Sequence, residues 1–359
     1  MKGTKFFRRR ALVLAAIATA GLAALSCDNG SSPSKNLVVD PKWDHPYLAA
    51  EDNGAGGWII TGFQTGKERA SIEIPADCDQ QPVASIADEA FKAKGLTSLT
   101  IQPQTALAIG NSAFEHNNLT SVDIPQGVVS IGNQAFNYNK LTNVIIAGSV
   151  KNIGEQAFYG IANNNNYTGP NMHGNRIASL TIANGVESIG NRAFHNNRLA
   201  SIVIPGSVKR IGSQAFQYQW ALLTSLTIEN GVENIDTGAF RENGKLLSVT
   251  IPGSVKTIAD YAFHAASGLR HVTLNEGLDS IGQYAFYGRE IANITIPNSV
   301  TYIGDYAFQQ TNLSTVHIGQ GVLVNNGFPT GFRECYSSAN DLAAGIYEKV
   351  NNNTWRKSE

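Results

Sequence analysis

Charge is scarce in this sequence. Only 15% of its 359 residues are Asp, Glu, Lys or Arg, and 27 basic side chains face 28 acidic ones for a formal net charge of −1. Globular chains usually carry about a quarter. No basic surplus remains to track a phosphate backbone, so nucleic acid is not an expected partner. Cysteine is scarcer still. Cys27, Cys78 and Cys335 are too few for a disulfide framework. The usual signatures of catalysis are missing as well: there is no HExxH, CxxC, GxGxxG, P-loop or GxSxG. Asp52-Asn53-Gly54 has the look of a calcium-loop start, but the other ligands of such a loop are absent, and it reads as a turn. No catalytic residue, metal or cofactor is expected.

What the chain has in abundance is one sentence repeated. LTSVDIPQGVVSIGNQAF at 119–136 returns as LASIVIPGSVKRIGSQAF at 199–216. The marker Phe falls at Phe91, Phe114, Phe136, Phe158, Phe194, Phe216, Phe240, Phe263, Phe286 and Phe308. Apart from one insertion, successive markers lie 22 to 24 residues apart, which gives ten copies over 76–324 with the consensus LxxVxIPxxVxxIGxxAFxxN. That period lies in the leucine-rich-repeat class.

The unit cannot stand alone. Val122 and Ile124 are two apart and face the same way in an extended chain, leaving Thr120, Ser121 and Asp123 toward water. Pro125 ends that strand because it cannot donate to a ladder. Val128 and Ile131 turn inward again, and Ala135 and Phe136 enter the core from an expected short helical or 3₁₀ turn. Seven apolar side chains per unit are buried only if a neighbour covers them, so the units must stack. The expected fold is a solenoid of repeats of about 22–23 residues. It has a parallel sheet on one face, a Phe spine inside, a short ladder of Tyr261, Tyr284 and Tyr306, and hairpin-like caps. WIITGF and ASIEIP, within 47–75, read as a hairpin over the first turn; GIYEKV and TWRK read as one over the last, with Tyr347 and Trp355 as covers. Cys78 and Cys335 then sit at opposite ends, too far apart for a bridge.

A second pattern runs inside the first. The residue after the Val or Leu of the second half reads Lys151, Glu187, Lys209, Glu233, Lys256, Asp279, and the flanking words alternate as GSVK and NGVE. Opposite charges on neighbouring strands stabilise by about 0.2–1 kcal/mol per pair, so this strip reads as structure.

Three places are candidates for partner contact. The strand face presents Thr120, Ser121 and Asp123 and their equivalents; it is rich in small hydroxyls and lacks the Trp, Tyr and Arg anchors of tight interfaces, which implies weak, distributed binding. The insertion at about 159–176 carries Tyr159, Tyr167, Met172 and His173. Insertions in repeats project as loops, often on a binding face. Finally, Arg270 and His271 lie on the strand face two turns, about 10 Å, from His317, a small cationic spot for a ligand. His116, His195 and His264 fall at or near one repeat position in non-adjacent copies and cannot converge on a metal.

The chain opens MKGTKFFRRR, followed by the apolar stretch ALVLAAIATAGLAAL and then Ser26-Cys27. Basic start, short apolar core and small residues are those of a secretory signal over 1–26. The Cys after small residues resembles a bacterial lipobox, with Ala24 where Leu is usual, and implies lipidation of Cys27. Residues 27–36 read as a tether, 37–75 as the N-terminal cap and 325–359 as the C-terminal cap. With LTSLTI at 96–101 and IPxxVxxIGxxAF throughout, the chain resembles the BspA-like leucine-rich repeat surface proteins of host-associated bacteria over about 45–325. The resemblance implies a non-catalytic surface lipoprotein at the bacterial outer membrane or cell surface. Its partners would be host extracellular proteins of the fibronectin and fibrinogen class, or other bacterial surfaces. It transfers no binding residues. A carbohydrate-binding protein using the Tyr ladder, or a purely structural envelope component, are the alternatives.

Overall fold

A computed structural model describes residues 44–358 other than 104, 161–173, 220–221, 289, 339–341 and 352. The signal segment, Cys27, the tether, and the insertion residues Tyr167, Met172 and His173 lie outside the described residues. Among the described residues no helix is long and apolar enough to cross a membrane.

The chain winds into a coil whose turns repeat one pattern of burial. In the turn of Ser121–Ile124, the side chains of Leu119, Val122, Ile124, Val128, Ile131, Ala135 and Phe136 are all at most 2% exposed. Fully burying each larger apolar side chain is worth roughly 1.5–3 kcal/mol, and only the neighbouring turns make that burial possible. The marker phenylalanines stack from Phe91 to Phe308 with centroids 5.2–5.6 Å apart and nearly parallel planes. Phe328 adds an eleventh ring 5.1 Å beyond Phe308. Its Gly327-Phe328 lacks the Ala of the marker pair, which is why the sequence count stops at ten copies.

Strands line two faces of the coil rather than one. The second-half strands, such as Val128–Ile131 and Asn152–Ile153, join a continuous 14-stranded sheet that ends at Leu323–Val324. The first-half strands form a second face in short parallel groups. The Ala-Phe segments are hydrogen-bonded turns, not the expected helical or 3₁₀ turns. The amides of Gln134 and Phe136 donate to Glu155 and Ala157 in the next turn of the coil, and Gln134 and Tyr138 take positive φ. Amides committed to a neighbouring turn are not free to close a helix. Gly132 lets these backbones stack directly, since a Cβ there would sit 2.5 Å from the carbonyl carbon of Gly110.

The consensus Asn closes each turn from within. Asn117, Asn139, Asn175, Asn197 and Asn243, with Gln219 in the same column, are fully buried. Asn139 Nδ2 donates to the carbonyls of Phe114 (2.8 Å) and Phe136 (3.2 Å), and its Oδ1 accepts from the Leu119 amide (3.1 Å). A buried backbone group left unpaired would cost about as much as a lost hydrogen bond, and this column removes that cost.

The N-terminal cap differs from expectation. Trp58–Phe63 makes its antiparallel hairpin with Leu48–Asp52, and also lies parallel to Gln81–Ile86. Ser71–Ile74, within ASIEIP, instead pairs in parallel with Ser98–Ile101 as the first rung of the coil. The reason is its pattern: Ile72 and Ile74 are inward-facing at the spacing of every later rung. Trp58 is fully buried and donates through Nε1 to the Cys78 carbonyl at 3.0 Å. At the other end, Gly345–Asn351 and Thr354–Lys357 form the expected hairpin, docked antiparallel on Thr315–Ile318. A helix, Phe332–Ser338, completes this cap by burying Phe332 and Tyr336, which are one helical turn apart on one face. Phe332 meets Phe328, Tyr347 and Trp355 edge-on or tilted, closing the spine. Cys335 on this helix is a free thiol, while Cys78 is buried at the opposite cap.

Candidate interaction face

The first-half strands present three outward columns. Ser121, Asn143 and Ser179 stand in register, as do Asp123, Ile145 and Thr181. Thr120, Ser121 and Asp123 are all exposed, as their spacing implied. Along these columns from Thr97 to His317 the only ionisable residues are Asp123, Arg270, His271 and His317. Between Asp123 and Arg270 the face consists of hydroxyls, one Asn and methyl-bearing side chains. The apolar members Ile145, Val203 and Leu247 are 39%, 53% and 51% exposed.

Charge is gathered on the opposite sheet. Lys151 pairs with Glu187 at 2.9 Å and Lys209 with Glu233 at 3.2 Å. Each of these lysines, and Lys256, also reaches a glycine carbonyl in the following turn: Gly185, Gly231 and Gly277. The alternating words make matched pairs of turns. Gly148 and Gly185 pack backbone against backbone, with Gly185 at φ +118°, and Ser207 Oγ bridges the Gly185 amide and the Val186 carbonyl at 2.8 Å each. The charge strip is therefore self-neutralised structure.

The strand face is interrupted at a regular place. Parallel pairing joins Ser121–Ile124, Asn143–Ile146 and Ser179–Ile182, then Ser201–Ile204 with Ser225–Ile228, then Ser248–Ile251 with His271–Leu274. Among the described residues no backbone hydrogen bond crosses from one group to the next at these strands. Each interruption precedes a strand that ends in proline: Pro125, Pro205, Pro252 or Pro297. Where Ala147, Ala183, Glu229 or Asn275 stands instead, its amide donates to the carbonyl of Ile124, Ile146, Ile204 or Ile251 one turn back. Proline has no such donor. The strands part there, and Leu99, Leu180, Leu226 and Val272 become partly exposed, while Val122, Val144, Ile202 and Val249 stay buried. A shallow hollow of about 360 Å³ lined by Arg270, His271, Val272, Thr273, Glu290, Ala292 and Asn293 is one of these partings.

That hollow corrects the expected cationic spot. Arg270 Nε lies 3.6 Å from Glu290, so its charge is paired. His317 is in register with Thr295, whereas Thr315 is the residue in register with Asn293, the repeat equivalent of His271. The two histidines stand in different columns and do not converge. The other described histidines are ring partners, His45 with Tyr47 among them. His116 stacks on Tyr138 (4.3 Å), His195 on Tyr159 (4.9 Å) and His264 on Tyr287 (5.3 Å), each across one turn. Burial, reinforced by Arg192 and only weakly opposed by Gln217, lowers the His195 pKa to about 4. Burial likewise lowers His264. Tyr159 stands at the base of the insertion, where Gly160 and Asn175 bridge to each other and Asn175 resumes the consensus position. The Tyr261, Tyr284 and Tyr306 rings stack at 5.0 and 4.8 Å, so each face of Tyr284 is covered by a neighbour. Among the described residues no group of three His, Cys, Asp or Glu side chains is placed to hold a metal ion.

The sequence signal for the partings was present in the IP of the consensus. Its consequence was not legible, because it concerns the carbonyl of the preceding turn.

No functionally curated protein matches the chain. A leucine-rich repeat protein from Bacteroides ovatus is similar in structure, with TM-score 0.55 and 24% identity over 79% of this chain and 69% of that one. A leucine rich cell surface protein from Faecalibacterium prausnitzii shares 22% identity over 87% of this chain and 99% of that one, with TM-score 0.42. At 24% identity the likeness to the Bacteroides ovatus protein is one of fold. The profile of the BspA type leucine-rich repeat region matches in six copies over residues 84–222, 172–264 and 218–337. The chain belongs to the BspA-type leucine-rich repeat family.

Proposed function

We propose that this protein is an exported, lipid-anchored surface protein whose solenoid binds other macromolecules without catalysis. Its partners are host matrix or plasma proteins of the fibronectin and fibrinogen class, or the surfaces of other bacterial cells. The observation that carries this reading is the strand face: three exposed columns with no ionisable residue between Asp123 and Arg270, on a coil whose opposite sheet pairs Lys151 with Glu187 and Lys209 with Glu233. Single contacts on such a face are weak, and many copies on one membrane make them effective. The basic, apolar start directs export, and acyl chains on the lipobox-like Cys27 supply the anchor.

The test is binding of the soluble chain from residue 28 onward to immobilised fibronectin and fibrinogen. Variants Val203→Asp and a deletion of 161–174 run beside it. Saturable binding that Val203→Asp abolishes supports the strand face; loss only in the deletion moves the site to the insertion. No binding by any version removes the matrix-protein reading. Growth in radiolabelled palmitate, with and without Cys27→Ala, tests the anchor.

A further inference from the structure

We propose that the partings of the strand face are a row of subsites for a neutral, extended β-1,4-linked glycan, bound along the axis of the coil. Three partings follow one another at a constant interval: Leu180 against Ile202, Leu226 against Val249, and Val272 against Ile294. Each is two turns from the next, about 9.6 Å at the usual spacing of neighbouring strands. A fourth, at Leu99 against Val122, stands three turns away because Ala147 replaces the proline of its copy and its amide closes the ladder.

The chemistry of each parting is the same. One wall is a strand whose carbonyls lack a donor from the next turn, the other a strand whose amides lack an acceptor from the turn before. The floor is a partly exposed aliphatic side chain, and the rim carries Ser179, Thr181, Ser225, Thr227, Ser248 and Thr250. At the Leu180 and Leu226 partings such a site offers donors, acceptors and an apolar patch with no charge, and at the Val272 parting the Arg270 charge beside it is paired with Glu290. A pyranose ring has the complementary surface, with hydroxyls at its edge and C–H groups on its face. Anionic polymers are disfavoured, since between Asp123 and Arg270 the face has no cations to replace their counterions. A β-1,4-linked glycan in its extended form repeats every disaccharide, a length close to two turns of this coil, so equivalent sugars would meet equivalent partings. Broad aromatic platforms are not needed when the ligand is gripped at its edges.

The experiment is calorimetric titration of the full exported chain with chitobiose, chitotetraose and chitohexaose. Pro205→Ala with Pro252→Ala, and separately Thr227→Glu with Thr250→Glu, are titrated in parallel. Pro→Ala restores the missing amide and closes two partings; Thr→Glu charges the rim of exposed positions without touching the core. Affinity is expected to rise by about tenfold or more from dimer to tetramer and again to hexamer as successive subsites are linked. Both double variants should lose at least about tenfold in hexamer affinity while melting at or above the parent temperature. No heat with the hexamer at millimolar concentration, an affinity independent of length, or binding unchanged in Thr227→Glu with Thr250→Glu would each overturn the proposal. The glutamate pair keeps the test decisive if the proline replacements fail to fold.

Discussion

The Asn139 carboxamide donates to the carbonyl of Phe114 one turn away at 2.8 Å, and so ties the core ring of one repeat to the corner of the next. It also holds the carbonyl of Phe136 and the amide of Leu119. Replacing it with Ala leaves several buried backbone groups without partners at once. We expect Asn139→Ala to cost roughly 2–4 kcal/mol in urea unfolding, against no more than about 0.5 kcal/mol for the exposed Asn152→Ala. Equal effects would mean that the column is replaceable by water.

Gly148 and Gly185 form a close backbone approach between a GSVK turn and an NGVE turn. A Cβ on Gly148 would run into the carbonyl oxygen of Asn184, which is backbone and cannot move aside as a flexible side chain would. Gly148→Ala is expected to destabilise by about 2–4 kcal/mol, whereas Gly54→Ala, at φ +73° in open space, costs about 1 kcal/mol. Thermal melts of the two variants separate steric exclusion from conformational preference.

His195 supplies a pH dependence. Its folded-state pKa of about 4 lies below the unfolded 6.5, so between these values the unfolded chain binds a proton that the folded chain does not. Stability contributed at neutral pH is therefore lost as pH falls from about 6.5 toward 4. His45, buried at the N-terminal cap with its pKa also lowered to about 4, acts in the same direction. His195→Phe, which keeps a ring against Tyr159, should flatten the fall in melting temperature over this window. A parallel curve for variant and parent would refute the assignment.

The Lys209–Glu233 pair spans 3.2 Å but both side chains are about half exposed. Exposed pairs of this kind contribute little, and Lys209→Ala should shift stability by less than about 0.5 kcal/mol. A larger loss that vanishes at high salt would show that the charge alternation is energetic rather than a by-product of the paired turns.

Much of this architecture was legible because a repeat states its own core. Val122, Ile124, Val128, Ile131 and Phe136 are buried as their spacing requires, and the aromatic ladders at Phe114 and Tyr284 follow from stacking equivalent positions. The exposed columns of Thr120, Ser121 and Asp123 follow from the same alternation. The caps were less legible, since a cap is singular and has no second copy to average over. Thus Leu48–Asp52 had only weak local pattern, and the short Phe332–Ser338 helix is held by Phe328, Tyr347 and Trp355.

What the sequence determined by itself is therefore the periodic part: which side chains face inward, where glycine permits close stacking, and where proline withholds a donor. These are properties of one unit and of its identical neighbours. Only the tertiary structure decided the singular relationships. It set Arg270 against Glu290, separated His271 from His317 by column, laid His195 on Tyr159, and parted the strands ahead of Pro205 and Pro252. Each of these depends on the offset between successive turns, and that offset comes from packing the whole stack rather than from any single repeat.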